Sequence, residues 1–254
     1  MQNFKLSRIQ YTQLDATTWC ATANVSSLVQ PNHPLAPFST LLTPLAPYKT
    51  LNNVLNSLSD ITWQYVIGQL PVSVHKNAQN KRQQQRHGVR LLLQQLLVTL
   101  DINDTLDESQ FPYQLSKHRY YVCFSHSGDR LQSKVAVAIS YRRAVGIDIE
   151  THDVAWQVAQ RFYHSDEISM LTRLPMADRA LVSKLLWQVK ESFIKIHQYK
   201  LAQGLAINYA PLISDLTIET DSAEICLSSL TFSEHSESNY QIVFAPTQQV
   251  TIVF

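Results

Sequence analysis

Two carboxylates one residue apart, Asp148 and Glu150 in the segment Val145-Gly-Ile-Asp-Ile-Glu150, are the pair in this sequence best suited to chemistry. In a strand, residues i and i+2 share a face, so Asp148 and Glu150 stand together while Ile147 and Ile149 turn to the core. Ionised carboxylates held side by side repel, and a cation would neutralise them. Oxygen donors alone suit a hard ion, magnesium first with manganese as its substitute, and magnesium also binds substrate phosphates. Taken alone, Asp-x-Glu equally marks the solvated end of many strands. A second segment adds weight. In Leu186-Trp-Gln-Val-Lys-Glu-Ser-Phe-Ile-Lys195, Trp187, Glu191 and Lys195 recur at i, i+4 and i+8, one stripe of a helix. Glu191 can supply a third oxygen to the ion, and Lys195, one turn on, can meet a bound phosphate. The plainer reading of Glu191 and Lys195 is a helical ion pair worth roughly a few tenths of a kcal/mol. Trp187 reads as a packing residue that fixes the helix.

The elements that must position these groups follow from periodicity. Residues 89, 92, 93, 96 and 97 are apolar at the spacing of one helical face, and they predict a helix from about His75 to Leu100 with a basic opening. Three strand-like runs follow at Arg119 to Phe124, Lys134 to Ser140 and Ala144 to Ile149. Phe124-Ser-His-Ser-Gly128, between two of them, reads as a turn with exposed polar groups. A helical region is expected over 154–197, with His164-Ser-Asp-Glu167 as a cap and an acidic first turn. The tail from Ser214 to Phe254 reads as short β-runs. The first 75 residues are less regular: Thr18 to Val25 has strand composition, and Pro31, Pro34, Pro37, Pro44 and Pro47 punctuate the stretch after it. The order predicts an α+β protein of two similar-sized halves with a seam near residues 143 to 150.

The 254 residues carry a formal net charge of +1, so no global field draws the protein to nucleic acid or membrane, and an anionic partner needs a local site. Cys20, Cys123 and Cys226 are far apart and form no CxxC pair, which argues against a disulfide framework or a zinc knuckle and fits a reducing cytoplasm. No apolar signal core follows Met1, and no run reaches the length of a membrane span.

Gly146-x-Asp148-x-Glu150, followed by Trp187-x-x-Lys190-Glu191-Ser-x-x-Lys195, resembles the paired signature of the 4′-phosphopantetheinyl transferase superfamily, in particular its larger Sfp-type members with two related halves in one chain. The resemblance implies two α/β halves in a pseudo-twofold arrangement, each with a small sheet on a long helix. Residues 1–143 would form the half that contacts the nucleotide of coenzyme A, and residues 144–254 the half carrying the metal motifs and the carrier-protein side. It further implies a magnesium site of Asp148, Glu150 and Glu191, and coenzyme A bound by Ser125, His126, Arg90 and Lys195. Ser125 and His126 would serve its 3′-phosphate, because family members carry a similar Ser-His-Ser here. Glu191, Lys195 and Glu150 would be the catalytic set, with Glu167 as a further residue facing the site. Where the family usually has Gly-Lys-Pro, this chain has Gln110-Phe111-Pro112, so either another basic residue such as Arg90, Arg86 or Lys117 takes over that phosphate contact or the affinity for coenzyme A is lower. The activity implied is transfer of phosphopantetheine from coenzyme A to a serine of an acidic acyl or peptidyl carrier protein, by a monomer, with release of adenosine 3′,5′-bisphosphate. The competing readings are a non-catalytic module that binds coenzyme A or a carrier protein, and a metal-dependent phosphoesterase of another fold.

Overall fold

The computed structural model describes residues 3–28, 62–63, 74–128, 133–220, 228–234 and 238–254. The five prolines from Pro31 to Pro47 and Cys226 lie outside them. The fold is α+β, with two antiparallel sheets. The elements of the first part are β1 (Asn3–Gln13), β2 (Thr18–Leu28), β3 (Thr62–Trp63), α1 (Val74–Thr99), β4 (Leu106–Asp107), β5 (Tyr113–Leu115), β6 (Tyr121–Gly128) and β7 (Ser133–Ser140). Their strands form a seven-stranded sheet in the order β3-β1-β2-β7-β6-β5-β4. The second sheet, β8-β11-β10-β9, uses β8 (Gly146–Ile149), β9 (Ser228–Glu234), β10 (Ser238–Ala245) and β11 (Val250–Val253). Between β8 and β9 run α2 (Trp156–Phe162), α3 (Ser165–Thr172), α4 (Met176–His197), α5 (Leu201–Leu205) and α6 (Ala210–Thr220). Among the described residues, no helix is long and apolar enough to cross a membrane.

Each sheet packs on one long helix. The stripe Val89, Leu92, Leu93, Leu96 and Leu97 of α1 is buried as its spacing predicts, against Leu6, Ala23, Val25, Val135 and Val137 of the first sheet. Helix α4 buries Val182, Leu186, Val189 and Phe193 against the second sheet, α3 and α6. A third cluster joins the sheets: Cys20, Cys123, Ala136 and Ala138 on one side meet Ile147, Ile149, Val243 and Ile252 on the other. Small side chains on the first sheet let the second approach closely.

Two expectations are corrected. Phe124 to Gly128 is no turn; the strand runs on to Gly128, paired residue by residue with β7 as far as Ser133. The region 154–197 is helical as expected and consists of three helices. His164 caps α3 in a capping box with Glu167, and Pro175, which has no N–H to give, precedes α4. Finally, 214–220 continues α6 rather than starting a strand, because Leu212, Ile213 and Leu216 pack into the α4 core.

Candidate active site

Strand β8 and helix α4 carry the two motifs, and Gly146 brings them together. A Cβ placed there would lie 2.1 Å from the Ser192 carbonyl oxygen, so only glycine lets the helix backbone rest directly on the strand. Buried polar side chains of α4 fasten the same contact. Gln188 Nε2 donates to the Gln249 carbonyl at 2.8 Å and to that of Asp148 at 3.4 Å, and Ser192 Oγ donates to the Thr251 carbonyl at 3.4 Å. Gly146→Ala should therefore force β8 and α4 apart. Overpacking costs about 1–3 kcal/mol, roughly 2–4 °C of melting temperature per kcal/mol at this size. A thermal melt checks this, and an unchanged Tm would refute the contact.

At that junction Lys195 Nζ donates to Asp148 Oδ1 at 2.8 Å, to the Ile147 carbonyl at 2.7 Å and to Ser125 Oγ at 3.2 Å. Strand β6 supplies a matching pair of hydroxyls. Ser125 Oγ donates to Asp148 Oδ1 at 2.8 Å and accepts the Ile149 N–H at 3.1 Å. Ser127 Oγ donates to Glu150 Oε1 at 2.7 Å and accepts the Thr151 N–H at 3.1 Å. The i, i+2 spacing of the serines thus answers the i, i+2 spacing of the carboxylates. This signal was present in the sequence as Ser-x-Ser beside Asp-x-Glu, but the turn reading of 124–128 concealed it.

These groups line a cleft of about 670 Å³. Arg86 and Arg90 of α1, His126 of β6, and Asp148, Glu150, Glu191 and Lys195 all line it, together with the aromatic side chains Phe111, Tyr113 and Phe124. Burial raises the Asp148 carboxyl above its ordinary pKa despite Lys195, and Glu150 raises it further. Burial likewise raises Glu191, with Asp148 and Glu150 adding to the effect. Lys195 is pulled down by burial but ends above the usual lysine value, because Asp148, Cys123 and Glu191 favour its charge. Burial and Lys195 lower His126, so its imidazole is neutral at pH 7 and offers an N–H rather than a charge.

The predicted site residues Arg90, Ser125, His126, Asp148, Glu150, Glu191 and Lys195 all line this cleft. Arg90 is shared with Glu108, and Arg86 stands beside it. Lys117 does not line the cleft; its Nζ donates to the Asn103 carbonyl. Trp187 does both jobs, packing against the C-terminal core near Tyr163 and lining the cleft. Among the described residues, no three His, Cys, Asp or Glu side chains converge closely enough to hold a metal ion. Asp148, Glu150 and Glu191 share the cleft without forming a closed cage. Their donor chemistry fits a hard cation all the same: they are oxygen ligands only, and the charge of Glu150 helps to raise the carboxyls of Asp148 and Glu191.

Glu167 is elsewhere. It is fully buried and accepts from Tyr209 N at 2.6 Å and His164 N at 2.9 Å, and its Oε1 lies 2.8 Å from Lys190 Nζ. Lys190, a motif residue whose role the sequence left unassigned, is fully buried too and also donates to the carbonyls of Leu205 at 2.8 Å and Ile207 at 2.5 Å. Burial pulls it down to about 8, against the opposing lift from Glu167, so it remains largely charged at neutral pH. This pair holds α3, α4 and the segment after α5 together.

No curated protein matches the chain. A family model does, over the stretch that contains β8, α4 and both motifs: residues 144–250 are similar to the 4′-phosphopantetheinyl transferase superfamily.

Proposed function

We propose that the protein moves the 4′-phosphopantetheine arm of coenzyme A onto a serine of an acidic acyl or peptidyl carrier protein and releases adenosine 3′,5′-bisphosphate. The observation that carries this reading is one cleft lined both by the donors Arg86, Arg90 and His126 and by three carboxylates with a lysine. Residues 1–143 and 144–254 would divide the work as pseudo-twofold halves, the first on the nucleotide, the second on the metal and the carrier. Magnesium, or manganese in its place, would be held by Asp148, Glu150 and Glu191 and would supply charge neutralisation at the pyrophosphate.

Phosphoryl transfer asks a protein mainly for positioning and electrostatic stabilisation. His126, Arg86 and Arg90 bind the 3′-phosphate end of the substrate. Ser125 and Ser127 hold Asp148 and Glu150 in place. Lys195 neutralises charge on the leaving side. Glu191 takes the proton of the carrier serine; its raised pKa brings its basicity nearer the working pH, which favours general-base catalysis. Glu150, the other catalytic carboxylate, is tied to Ser127 and the His152 N–H and is the less free of the two.

Incubation with labelled coenzyme A and a panel of apo-carrier proteins tests the reading. Label on a carrier serine, with one adenosine bisphosphate released per transfer and loss of both on chelation, is the expected result. Steady release of the bisphosphate without labelled carrier would overturn it. His126→Ala should raise the KM for coenzyme A about ten- to a hundredfold, the loss of a charge-assisted hydrogen bond, and leave that for dephospho-coenzyme A nearly unchanged. Equal effects on both substrates would remove His126 from the 3′-phosphate.

A further inference from the structure

A second recess, of about 150 Å³, lies where the turn joining β10 and β11 meets the first sheet, and it shares no lining residue with the cleft. Its walls include Arg8, Gln10, Thr22, Asn24, Lys134 and Gln248, and no carboxylate among the described residues lines it. Asn24 and Lys134 face each other across the β2–β7 pair. Arg8 sits where the β1–β2 register shifts, at φ 52°, an uncommon conformation for a residue other than glycine. Lys134 Nζ donates to Gln249 Oε1 at 2.6 Å, a neutral acceptor that leaves its charge uncompensated. Thr22 and Gln248 satisfy each other at 3.3 Å. Asn24 is only 8% exposed, yet its amide makes no hydrogen bond among the described residues. The Asn24 side chain lines the recess.

The geometry points to an oxyanion site here: a single phosphate group held by the guanidinium of Arg8 and the ammonium of Lys134, with the Asn24 amide as a neutral donor. Two cations and one unspent amide in a recess too small for a nucleotide match a tetrahedral anion with several acceptor oxygens. The field is consistent with this. Burial lowers the Lys134 ammonium, and the neighbouring charges of Lys184 and Arg8 lower it further, so the spot has positive charge to spare.

The test is a titration of the whole protein with inorganic phosphate at constant ionic strength, followed by NMR at the Asn24 side-chain amide and, separately, at His126 in the cleft. The Asn24 signal should move along a saturable curve. In the double variant Arg8→Asn/Lys134→Gln the affinity read at Asn24 should fall at least about tenfold, as expected for losing two charge-assisted bonds, while the cleft response is unchanged. Asparagine at position 8 keeps the tolerance for positive φ. Asn24→Asp, which sets a like charge against the anion in the same volume and is read at the Lys134 amide, serves if the double variant fails to fold, and should also remove binding. Repeating the titration with phosphoserine separates a free ion from a phosphate carried on another molecule by which binds tighter. Shifts that grow without saturating, or saturate alike in the folded variants, overturn the proposal.

Discussion

Glu191→Gln is expected to lower kcat by two to four orders of magnitude, roughly the contribution of a positioned general base, and to leave the melting temperature nearly unchanged. Glutamine keeps the size of the side chain and an amide oxygen but gives up the charge and the basicity. Stability should hold because Glu191 stands among Asp148 and Glu150, whose charges oppose its own, so removing its charge relieves repulsion. The substitution also replaces one of the three anionic oxygen donors proposed for the ion with a neutral amide oxygen, and the magnesium dependence separates the two losses. A fall in kcat with an unchanged magnesium dependence points to the proton, whereas restoration at high magnesium points to the ion. Trp187→Ala is the contrasting case, since its ring packs into the C-terminal core while lining the cleft; melting and activity should fall together. A Glu191→Gln enzyme with near-normal kcat would remove Glu191 from the chemistry.

How far the site could be read from sequence depends on the distance over which each signal acts. The α1 stripe and the Asp148–Glu150 alternation were legible because burial on a helix or strand face is fixed by local period, and 3.6 and 2.0 residues leave different marks. The Trp187-Glu191-Lys195 stripe was legible for the same reason. What was not legible lies in contacts between segments distant in the chain. Ser-His-Ser looks like a turn because its residues favour turns, but pairing with Lys134 to Ala136 on β7 holds it as strand, and only then do Ser125 and Ser127 face the carboxylates 23 residues on. Residues 214–220 look like strand by composition and become helix through packing on α4. Glycine at position 146 is easily taken as part of a signature; the reason for it, a helix carbonyl where a Cβ would be, appears only once α4 is laid on β8.

Lys190 and Glu191 are neighbours in sequence, yet a turn of about 100° per residue sends them to opposite tasks. Lys190→Met should therefore be the most destabilising of the changes considered and among the least harmful to the chemistry itself. Methionine fills a similar volume but leaves the Glu167 carboxylate fully buried with no counter-charge, and the Leu205 and Ile207 carbonyls without their shared donor. Breaking a buried pair from one side costs about 3–5 kcal/mol, which for a chain of this size lowers Tm by roughly 6–20 °C. The second substitution Glu167→Gln should return part of the loss, because a neutral amide oxygen can still accept the Tyr209 N–H without burying a charge. Assayed well below its melting point, Lys190→Met should keep most of its kcat, since Lys190 does not line the cleft. Melting curves on the single and double variants decide the matter. If Lys190→Met melts within about 2 °C of the parent, or if Glu167→Gln deepens the loss instead of relieving it, the pair does not hold α3 and α4 together as argued, and the place of Lys190 in the motif needs a catalytic explanation instead.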